Sequence, residues 1–568
     1  MNRPTPAIVT QTAVRPMPRL ALLLFCAAYV LPGFLGREPW KVDDLSSFGI
    51  MRELALGQGD WWSPGVLGLA PDEPGWLPYW LGAIAIRALP FLDPATASRL
   101  PFIGLLGLSL AATWYAIYHL ARLPVAQPVA FAFGGEANPR DYARAMADAG
   151  LLALIACLGL AQLSHETTPE LGRLAFGALL LLAMARLARG GPPWGAVVMA
   201  LLSLLALLLS GMGWPAVVLY TGWLGVLTLH RAKAKRQDAI WVRRPSSDLL
   251  AALLLALVLI ALAWQHGWLQ APQAPAAGKD WGSFARLLLW FTWPAWPLVL
   301  WTLWRWRHQL SSLHIALPLW AAVAGLLNSA WSDQSDRALL LALPALAVLA
   351  AFALPTLRRS AAALIDWFTL LFFSFCALVI WVIWFAMQTG VPSKPAANVA
   401  KLAPGFSAEF SPGLFLVAAL ATVAWLGLVA WRVGRHRQAI WKSLVLPASG
   451  ATLCWLLLMT LWLPVLDFGR SYGPISRRVA LMVPSQACVL VDGLTQSQVA
   501  GLQHHGGLDL RLMNTPQTSD CASLIVTPDR QDSLSERVDL TQWAFRGQVR
   551  RLNDQRKETL LVYLRVGE

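Results

Sequence analysis

The sequence predicts a polytopic all-α membrane protein that ends in a small extramembrane α/β domain. Of its 568 residues, 57% are hydrophobic and only 13% are charged, and the mean hydropathy is +0.53. A soluble protein of this size typically has about a quarter of its residues charged. The apolar residues also stand in long blocks, whereas a transmembrane β-barrel shows alternating segments of roughly ten residues.

The apolar blocks define the expected transmembrane helices. Several are shorter than the ~20 residues that typically span the hydrocarbon core, so we expect little tilt or snorkelling flanks at those points. We count thirteen of them, namely 20–35, 100–120, 149–163, 172–188, 194–210, 214–229, 249–266, 287–304, 313–331, 338–357, 361–387, 414–431 and 443–463.

The distribution of positive charge predicts the orientation. With a cytoplasmic N-terminus, the seven inner segments contain 22 Lys and Arg residues, whereas the five short outer loops contain 6. Cytoplasmic loops of membrane proteins carry this excess. Since thirteen spans are an odd number, we expect the C-terminus in the periplasm of a bacterial inner membrane. The first block is expected to be an anchor, because its end, "YVLPGFLG", is a poor signal-peptidase site.

The net charge of +14 needs no nucleic-acid partner, because the positive charge is concentrated in short loops between apolar blocks. A nucleic-acid-binding domain would instead carry a basic stripe on a soluble surface. We therefore expect membrane lipids as partners and no nucleic acid.

Two extramembrane parts are expected on the outer face. The first is the loop 36–99, which lies within a transmembrane domain spanning 1–466. The second is a domain spanning 467–568, where the composition changes abruptly. Its strand-like runs "ACVLVDG", "LDLRLMN", "ASLIVTP" and "TLLVYLRV", with a helical "TQSQVAGLQHHGG" after the first, predict an α/β fold.

The cysteines fall into two groups. Four lie inside apolar blocks and are expected to be packing residues. Cys488 and Cys521 each open a predicted strand of the tail, and a disulfide between them forms if those strands are neighbours. The sequence alone leaves this open, because it does not determine the separation of the Cα atoms. No Cys/His spacing resembles a zinc site.

Acidic residues gather at the outer ends of the apolar blocks. A transporter or flippase would need charges within its spans, and the blocks contain almost none. The acids stand instead in "VDDL", "APDEPGW", "SHETTPE" and "SDQSDR". This distribution favours chemistry at the outer surface over conduction through the membrane.

The first outer loop resembles a known family. It reads "GREPWKVDDLSSFGIMRELALGQGDWWSPGVLG", followed by "EPGWLPYW". This ordered set is similar to the first periplasmic loop of the aminoarabinose transferases that modify lipid A, which belong with the protein mannosyltransferases to the GT-C membrane glycosyltransferases. The likeness covers the whole chain, though weakly between motifs. It implies a GT-C fold and transfer of a sugar from a polyprenyl-phosphate donor to a glycolipid or other envelope acceptor.

The resemblance also assigns roles to acids. Asp43 falls on the general base, which takes the proton of the acceptor hydroxyl. Glu73 falls on the second site acid, which is tied to the acceptor or to a metal, so a divalent cofactor is left open. Asp44 is expected to be a hydrogen-bonding neighbour, and the role of His165 stays open. As an alternative, Glu73 is simply part of a turn before Pro74.

The leaving phosphate needs cations to bind its developing charge. The candidates are Arg37, Lys41, Arg52 and Arg337.

Several lysines of the family pattern are missing. The lysine after the second acid is replaced by Pro74, and the turn between the fifth and sixth spans reads "LSGMGWP". In "SDQSDR" only Arg337 can substitute for a family lysine, and the family's Asp-Glu pair has become Asp-Asp. These departures leave three alternatives: a different donor, phosphate bound elsewhere, or an inactive homologue that acts as a scaffold.

Overall fold

The computed structural model describes most of the chain. The described residues are 5–40, 42–190, 193–236, 247–269, 280–433, 439–484, 487–513, 521–551 and 558–566. Lys41, one of the predicted phosphate-binding cations, lies outside them.

The described residues are mainly helical. The α-helices in chain order are α1 Arg19–Val30, α2 Asp43–Leu56, α3 Leu77–Ala88, α4 Pro94–Ala121, α5 Pro139–Ala156, α6 Leu160–Leu163, α7 Pro169–Arg189, α8 Pro193–Leu209, α9 Trp214–Arg236, α10 Ser247–Gln265, α11 Trp281–Phe291, α12 Ala295–Arg305, α13 Leu313–Trp331, α14 Ser335–Ala338, α15 Leu343–Ala353, α16 Arg359–Thr389, α17 Ser393–Leu402, α18 Pro412–Val433, α19 Val445–Leu461, α20 Leu463–Arg470, α21 Gly473–Ala480, α22 Gln496–Gly506 and α23 Pro528–Gln531.

A five-stranded sheet follows near the C-terminus. Its strands are β1 Val489–Asp492, β2 Leu510–Leu512, β3 Ser523–Val526, β4 Trp543–Arg550 and β5 Thr559–Arg565. The strand order is β2-β1-β3-β5-β4, with β1 parallel to β2 and β3, and β5 antiparallel to β3 and β4. The four predicted strands and the helix between the first two are confirmed, whereas β4 was not predicted.

The chain is built as a multi-pass membrane protein. Among the described residues, eight helices are long and apolar enough to cross a membrane, and a ninth span results if α11 and α12, bent by 88°, are counted as one. Each of the thirteen predicted apolar blocks overlaps a helix. The number thirteen itself is not confirmed, because α1 and α8 are short.

The helices belong to two compact units. The first comprises Met1–Phe34, Phe102–Leu378 and Leu416–Leu457, and the second comprises Leu35–Pro101, Val379–Phe415 and Leu458–Glu568. The first outer loop and the C-terminal segment therefore belong to the same unit. The domain boundary at residue 467 stays a prediction.

In the first unit, α15 is the central element. All of its residues are buried, and it contacts α5, α7, α12 and α13. Small residues allow α15 and its neighbours to approach closely, as is common between membrane helices. A Cβ atom at Gly325 of α13 would lie 2.9 Å from the Cα atom of Ala342, directly before α15. By contrast, α18 leaves most of its surface uncovered, as a lipid-facing helix does.

One buried ion pair corrects the expectation of uncharged spans. Asp366 lies within the block 361–387, near the beginning of α16, and Arg432 lies near the end of α18. The Nη2 atom of Arg432 is 2.7 Å from the Oδ2 atom of Asp366, and both residues are buried. Pairing lets both charges remain in a low-dielectric environment that an isolated charge would not tolerate. The block 361–387 therefore contains a charged residue, Asp366, whose charge is neutralised by Arg432.

In the second unit, α2 packs against α3 and α22. Glycines make both contacts close: a Cβ atom at Gly49 would lie 2.5 Å from that of Ala500, and one at Gly82 would lie 2.2 Å from the sulfur of Met51. Helix α22 begins with a capping box, in which Thr495 and Gln498 each bond the other's backbone. The first outer loop is thus packed directly on the C-terminal segment.

Cys488 and Cys521 form a disulfide at the base of the sheet, with their Cα atoms 4.8 Å apart. They precede β1 and β3, which are neighbours in the sheet. The structure therefore supplies the adjacency that the sequence left open.

The contact at Gly325 gives a stability prediction. Gly325→Ala should lower the melting temperature, because overpacking at a rigid contact typically costs about 1–3 kcal/mol and outweighs the better helix propensity of alanine. The matched control is Gly427→Ala in α18, where an added Cβ meets nothing within 4 Å. Thermal unfolding in detergent should separate the two variants. Equal melting temperatures would contradict the packing argument.

Candidate active site

A buried ion pair anchors the start of the first outer loop. The Nη1 atom of Arg37 is 2.8 Å from the Oδ2 atom of Asp44, and the two residues are only 6% and 1% exposed. The same carboxylate oxygen accepts the backbone N–H of Trp40 at 3.0 Å. Asp44 therefore has structural contacts with Arg37 and Trp40, and its supporting role in a site stays a prediction. Arg37 is committed to this pair and also lies over the ring of Trp40, 4.6 Å from its centroid.

The Trp40 side chain extends this anchor to α20. Its indole N–H donates to Oδ1 of Asp467 at 2.6 Å. Arg470, the last residue of α20, lies over the Trp40 ring, 5.0 Å from its centroid. The second oxygen of Asp467 accepts the backbone N–H of Glu38. Burial raises the pKa of Asp467 to about 6. Carboxyl groups with such pKa values cluster at functional sites, and no sequence motif singled this one out.

The predicted base, Asp43, has a different environment from its neighbour. It is the first residue of α2 and is half-buried. Unpaired backbone N–H groups at the start of a helix favour a negative charge there. Successive residues of a helix point about 100° apart, so Asp43 and the buried Asp44 lie on different faces of α2.

Glu73, the predicted second acid, lies in the same unit in a turn before α3. It is half-buried, and its backbone oxygen accepts the hydroxyl of Tyr79 at 2.8 Å. The indole N–H groups of Trp76 and Trp80 hold the same loop by donating to the backbone oxygens of Trp62 and Trp61. Residues 72 and 73 form a bend, which is compatible with the simple alternative for Glu73, and the catalytic role of Glu73 stays a prediction.

Arg52 and Glu53 lie in the middle of α2 and differ in their surroundings. Arg52 is half-buried, and desolvation lowers its pKa. Both carboxylate oxygens of Glu53 accept the backbone N–H of Leu67, at 3.0 and 2.9 Å, and Gln503 of α22 donates to one of them. Desolvation raises the pKa of Glu53. Glu53 therefore connects the loop to α22, which the sequence did not reveal.

His165 and Arg337 belong to the first unit. His165 is 1% exposed, its Nε2 atom lies 3.0 Å from the backbone oxygen of Tyr29, and its ring packs on those of Phe34 and Trp455. It has the contacts of a structural core histidine. Arg337 is paired with Glu166, with 2.5 Å between Nη1 and Oε2.

Two further groups in the second unit were not predicted. The ligand atoms of Glu38, His504 and His505 lie within 4.8 Å of one another. Separately, an open cavity has the exposed side chains of Arg478 and Arg550 in its lining. Both groups bring together residues from distant parts of the chain, so residue spacing carries no signal of them.

Comparison with known structures identifies the fold. The chain superposes on ArnT from Cupriavidus metallidurans bound to undecaprenyl phosphate with a TM-score of 0.61, at 14% identity over 97% of this chain and 99% of that chain. The apo form of ArnT gives 0.61 and 15% identity over 96% and 97%. The chain is thus a membrane protein of the ArnT fold, and the resemblance to GT-C glycosyltransferases is confirmed at the level of the fold. The archaeal oligosaccharyltransferase AglB from Archaeoglobus fulgidus gives only 0.34, too low to support a conclusion.

No protein-family model and no curated protein matches the sequence.

The buried pair gives a second prediction. Asp44→Ala should destabilise the protein by about 3–5 kcal/mol, because it leaves the Arg37 guanidinium buried without its carboxylate. The double variant Arg37→Leu/Asp44→Leu should recover much of this loss, since it removes both charges. Thermal unfolding measures both, with Asp72→Ala at an exposed position of the same loop as the control. A double variant as unstable as Asp44→Ala would contradict this account.

Glu53 gives a pH-dependent prediction. Its pKa in the folded protein lies above the ordinary value of 4.5, so its ionised form is disfavoured by folding, and the cost grows as the pH rises through and above 4.5. The melting temperature of Glu53→Gln relative to wild type should therefore increase with pH. Thermal unfolding between about pH 4 and 8 tests this, with Glu409→Gln at an exposed carboxyl as the control. A difference that shrinks with rising pH would refute it.

Proposed function

We propose that this chain is a membrane glycosyltransferase that uses a polyprenyl-phosphate sugar. The observation that carries the proposal is the end-to-end fold similarity to ArnT, a protein crystallised with undecaprenyl phosphate. The motif of the first outer loop adds support, because it places Asp43 at the N-terminal turn of α2. A donor with a prenyl chain stays in lipid while its phosphosugar head reaches water, so the reaction belongs at the membrane surface.

The reaction is a displacement at the anomeric carbon. The acceptor hydroxyl oxygen forms a bond to that carbon on the face opposite the phosphate, and its proton passes to the carboxylate of Asp43. The bond between the anomeric carbon and the phosphate oxygen breaks, and the polyprenyl phosphate leaves with the electron pair. Asp43 suits the role of base better than Asp44, because the latter is buried in its ion pair with Arg37.

Glu73 is proposed to orient the acceptor. It is half-buried in the tryptophan-held turn that precedes α3, in the same unit as Asp43. A carboxylate there accepts hydrogen bonds from acceptor hydroxyls.

The leaving phosphate requires cations that are not used elsewhere. Arg37 and Arg337 are both engaged in ion pairs with acids of their own units. Arg52 on α2 remains a candidate, and Arg478 and Arg550 beside the open cavity offer further positive charge. We infer that binding of the phosphate has moved away from the positions of the family's lysines.

The finer assignments follow from the resemblance. The donor sugar is 4-amino-4-deoxy-L-arabinose or a related sugar, and the acceptor is lipid A or another envelope glycolipid. The protein resides in a bacterial inner membrane with its C-terminal segment in the periplasm. The disulfide between Cys488 and Cys521 supports the periplasmic placement, because such bonds persist in oxidising compartments.

A second candidate function is that of an inactive homologue acting as a scaffold. Two observations favour it: Pro74 stands where the family has a lysine, and Arg337 is paired with Glu166. A flippase or transporter has less support, because the buried charge of Asp366 is neutralised by Arg432.

The test compares wild-type and Asp43→Asn membranes for transfer of sugar from polyprenyl-phosphate donors. Loss of a general base should lower the rate by about 10²–10⁴-fold. Asp72→Asn, at an exposed neighbouring acid, should retain wild-type activity. Thermal unfolding of each variant checks that the fold is intact.

The outcomes separate the candidates. Full activity of Asp43→Asn would refute the assignment of the base but not the enzyme. A folded wild-type protein that is inert with every donor, in a strain whose envelope glycolipids do not change on deletion, would favour the scaffold.

A further inference from the structure

Two consecutive histidines at the end of α22 face an acid from the beginning of the first outer loop. His504 and His505 lie in the last turn of α22, and the Nε2 atom of His504 is 3.7 Å from the Oε2 atom of Glu38. One ligand atom from each of the three residues lies within 4.8 Å of the other two. The residues belong to the same compact unit although 466 positions separate Glu38 from His504.

His505 has one ring nitrogen without a hydrogen bond in the described part of the protein. The Nε2 atom of His505 is buried and has no hydrogen-bond partner among the described residues. A buried nitrogen without a partner is costly unless a ligand engages it. Its ring lies 4.6 Å from that of His504, so both imidazoles border one space.

The donor types indicate which ion fits. Two imidazole nitrogens and one carboxylate oxygen are ligands of Zn²⁺ and of neighbouring late transition metals, whereas Mg²⁺ and Ca²⁺ prefer oxygen ligands alone. Two positive charges lie near these ligands, because Arg99 interacts electrostatically with Glu38 and Arg477 with His505. Nearby positive charges oppose a cation that is bound by charge alone. An ion at this place therefore needs strong bonds to nitrogen to offset the repulsion, and zinc forms such bonds.

The geometry requires only a small closure. Two nitrogen ligands about 2.1 Å from a tetrahedral ion lie about 3.4 Å apart. The pair of His504 and Glu38 is already near this value at 3.7 Å, and the Glu38 side chain is 49% exposed. The helix that carries both histidines is fixed by its capping box and its contact with α2, and Phe48 of α2 packs edge-on against His504.

We propose that Glu38, His504 and His505 form a Zn²⁺ site with a fourth position open to water. The site joins the beginning of the first outer loop to the last turn of α22. It stabilises the second unit by a bond between segments that are distant in sequence, because an ion bound only by the folded state shifts the equilibrium toward it. This role does not depend on the proposed transferase activity.

The test uses the full chain, purified in detergent without a histidine tag and stripped with a chelator. Adding Zn²⁺ should give one bound ion per chain by elemental analysis and raise the melting temperature, whereas Mg²⁺ should do neither. His505→Ala should weaken Zn²⁺ binding by more than about tenfold, since even loss of residues behind a metal ligand costs about 10–100-fold. The matched control is His266→Ala, an exposed histidine at the end of α10, which should bind Zn²⁺ as wild type does.

Glu38→Gln is a second test variant, which keeps the proposal testable if His505→Ala does not fold. Residue 38 is exposed, so this substitution should leave the metal-free melting temperature unchanged while weakening the response to Zn²⁺. A wild-type protein whose Zn²⁺ content and melting temperature equal those of His505→Ala and Glu38→Gln would overturn the proposal. An equal loss in His266→Ala would also overturn it, because binding would then be nonspecific.

Discussion

The buried ion pair between Arg37 and Asp44 is the constraint on which the first outer loop depends. Neither charge is tolerated alone at this depth, so the loop must return to the point where the guanidinium meets the carboxylate. The same carboxylate accepts the N–H of Trp40, and the indole of Trp40 reaches Asp467 on α20. The beginning of α2 is thereby positioned from both sides, and Asp43 is held at a defined place next to the pair.

This arrangement gives the two adjacent acids separate tasks. Asp44 maintains the loop, while Asp43 remains half-buried at the positive end of a helix. Both acids belong to the motif, but Asp44 is buried in its ion pair, whereas Asp43 is only half-buried. The cations show the same division. Arg37 and Arg337 matched expected phosphate ligands, yet each balances a buried acid. The motif residues Arg37 and Arg337 therefore stabilise the protein framework, and the motif does not by itself identify the residues that bind phosphate.

The sequence predicted the features that rest on local pattern. Apolar length located the helices, and β-branched runs located four of the five strands. It missed β4, because Trp543–Arg550 alternates little and is mostly exposed. It also missed the pairing of Asp366 with Arg432 and the approach of Glu38 to His504, since partners 66 and 466 positions apart leave no trace in spacing. The sequence identified Cys488 and Cys521 as candidates for a disulfide but did not determine whether they pair, because strand order is a property of the folded sheet.

The second unit is assembled from three stretches of chain, 35–101, 379–415 and 458–568. During synthesis, the first stretch emerges hundreds of residues before α22, against which α2 packs. The loop that carries Asp43 therefore lacks its partner surface until the ribosome has synthesised α22. Contacts of such long separation form late and slowly. A polypeptide arrested before α22 would present the motif intact but without the surface that shapes it.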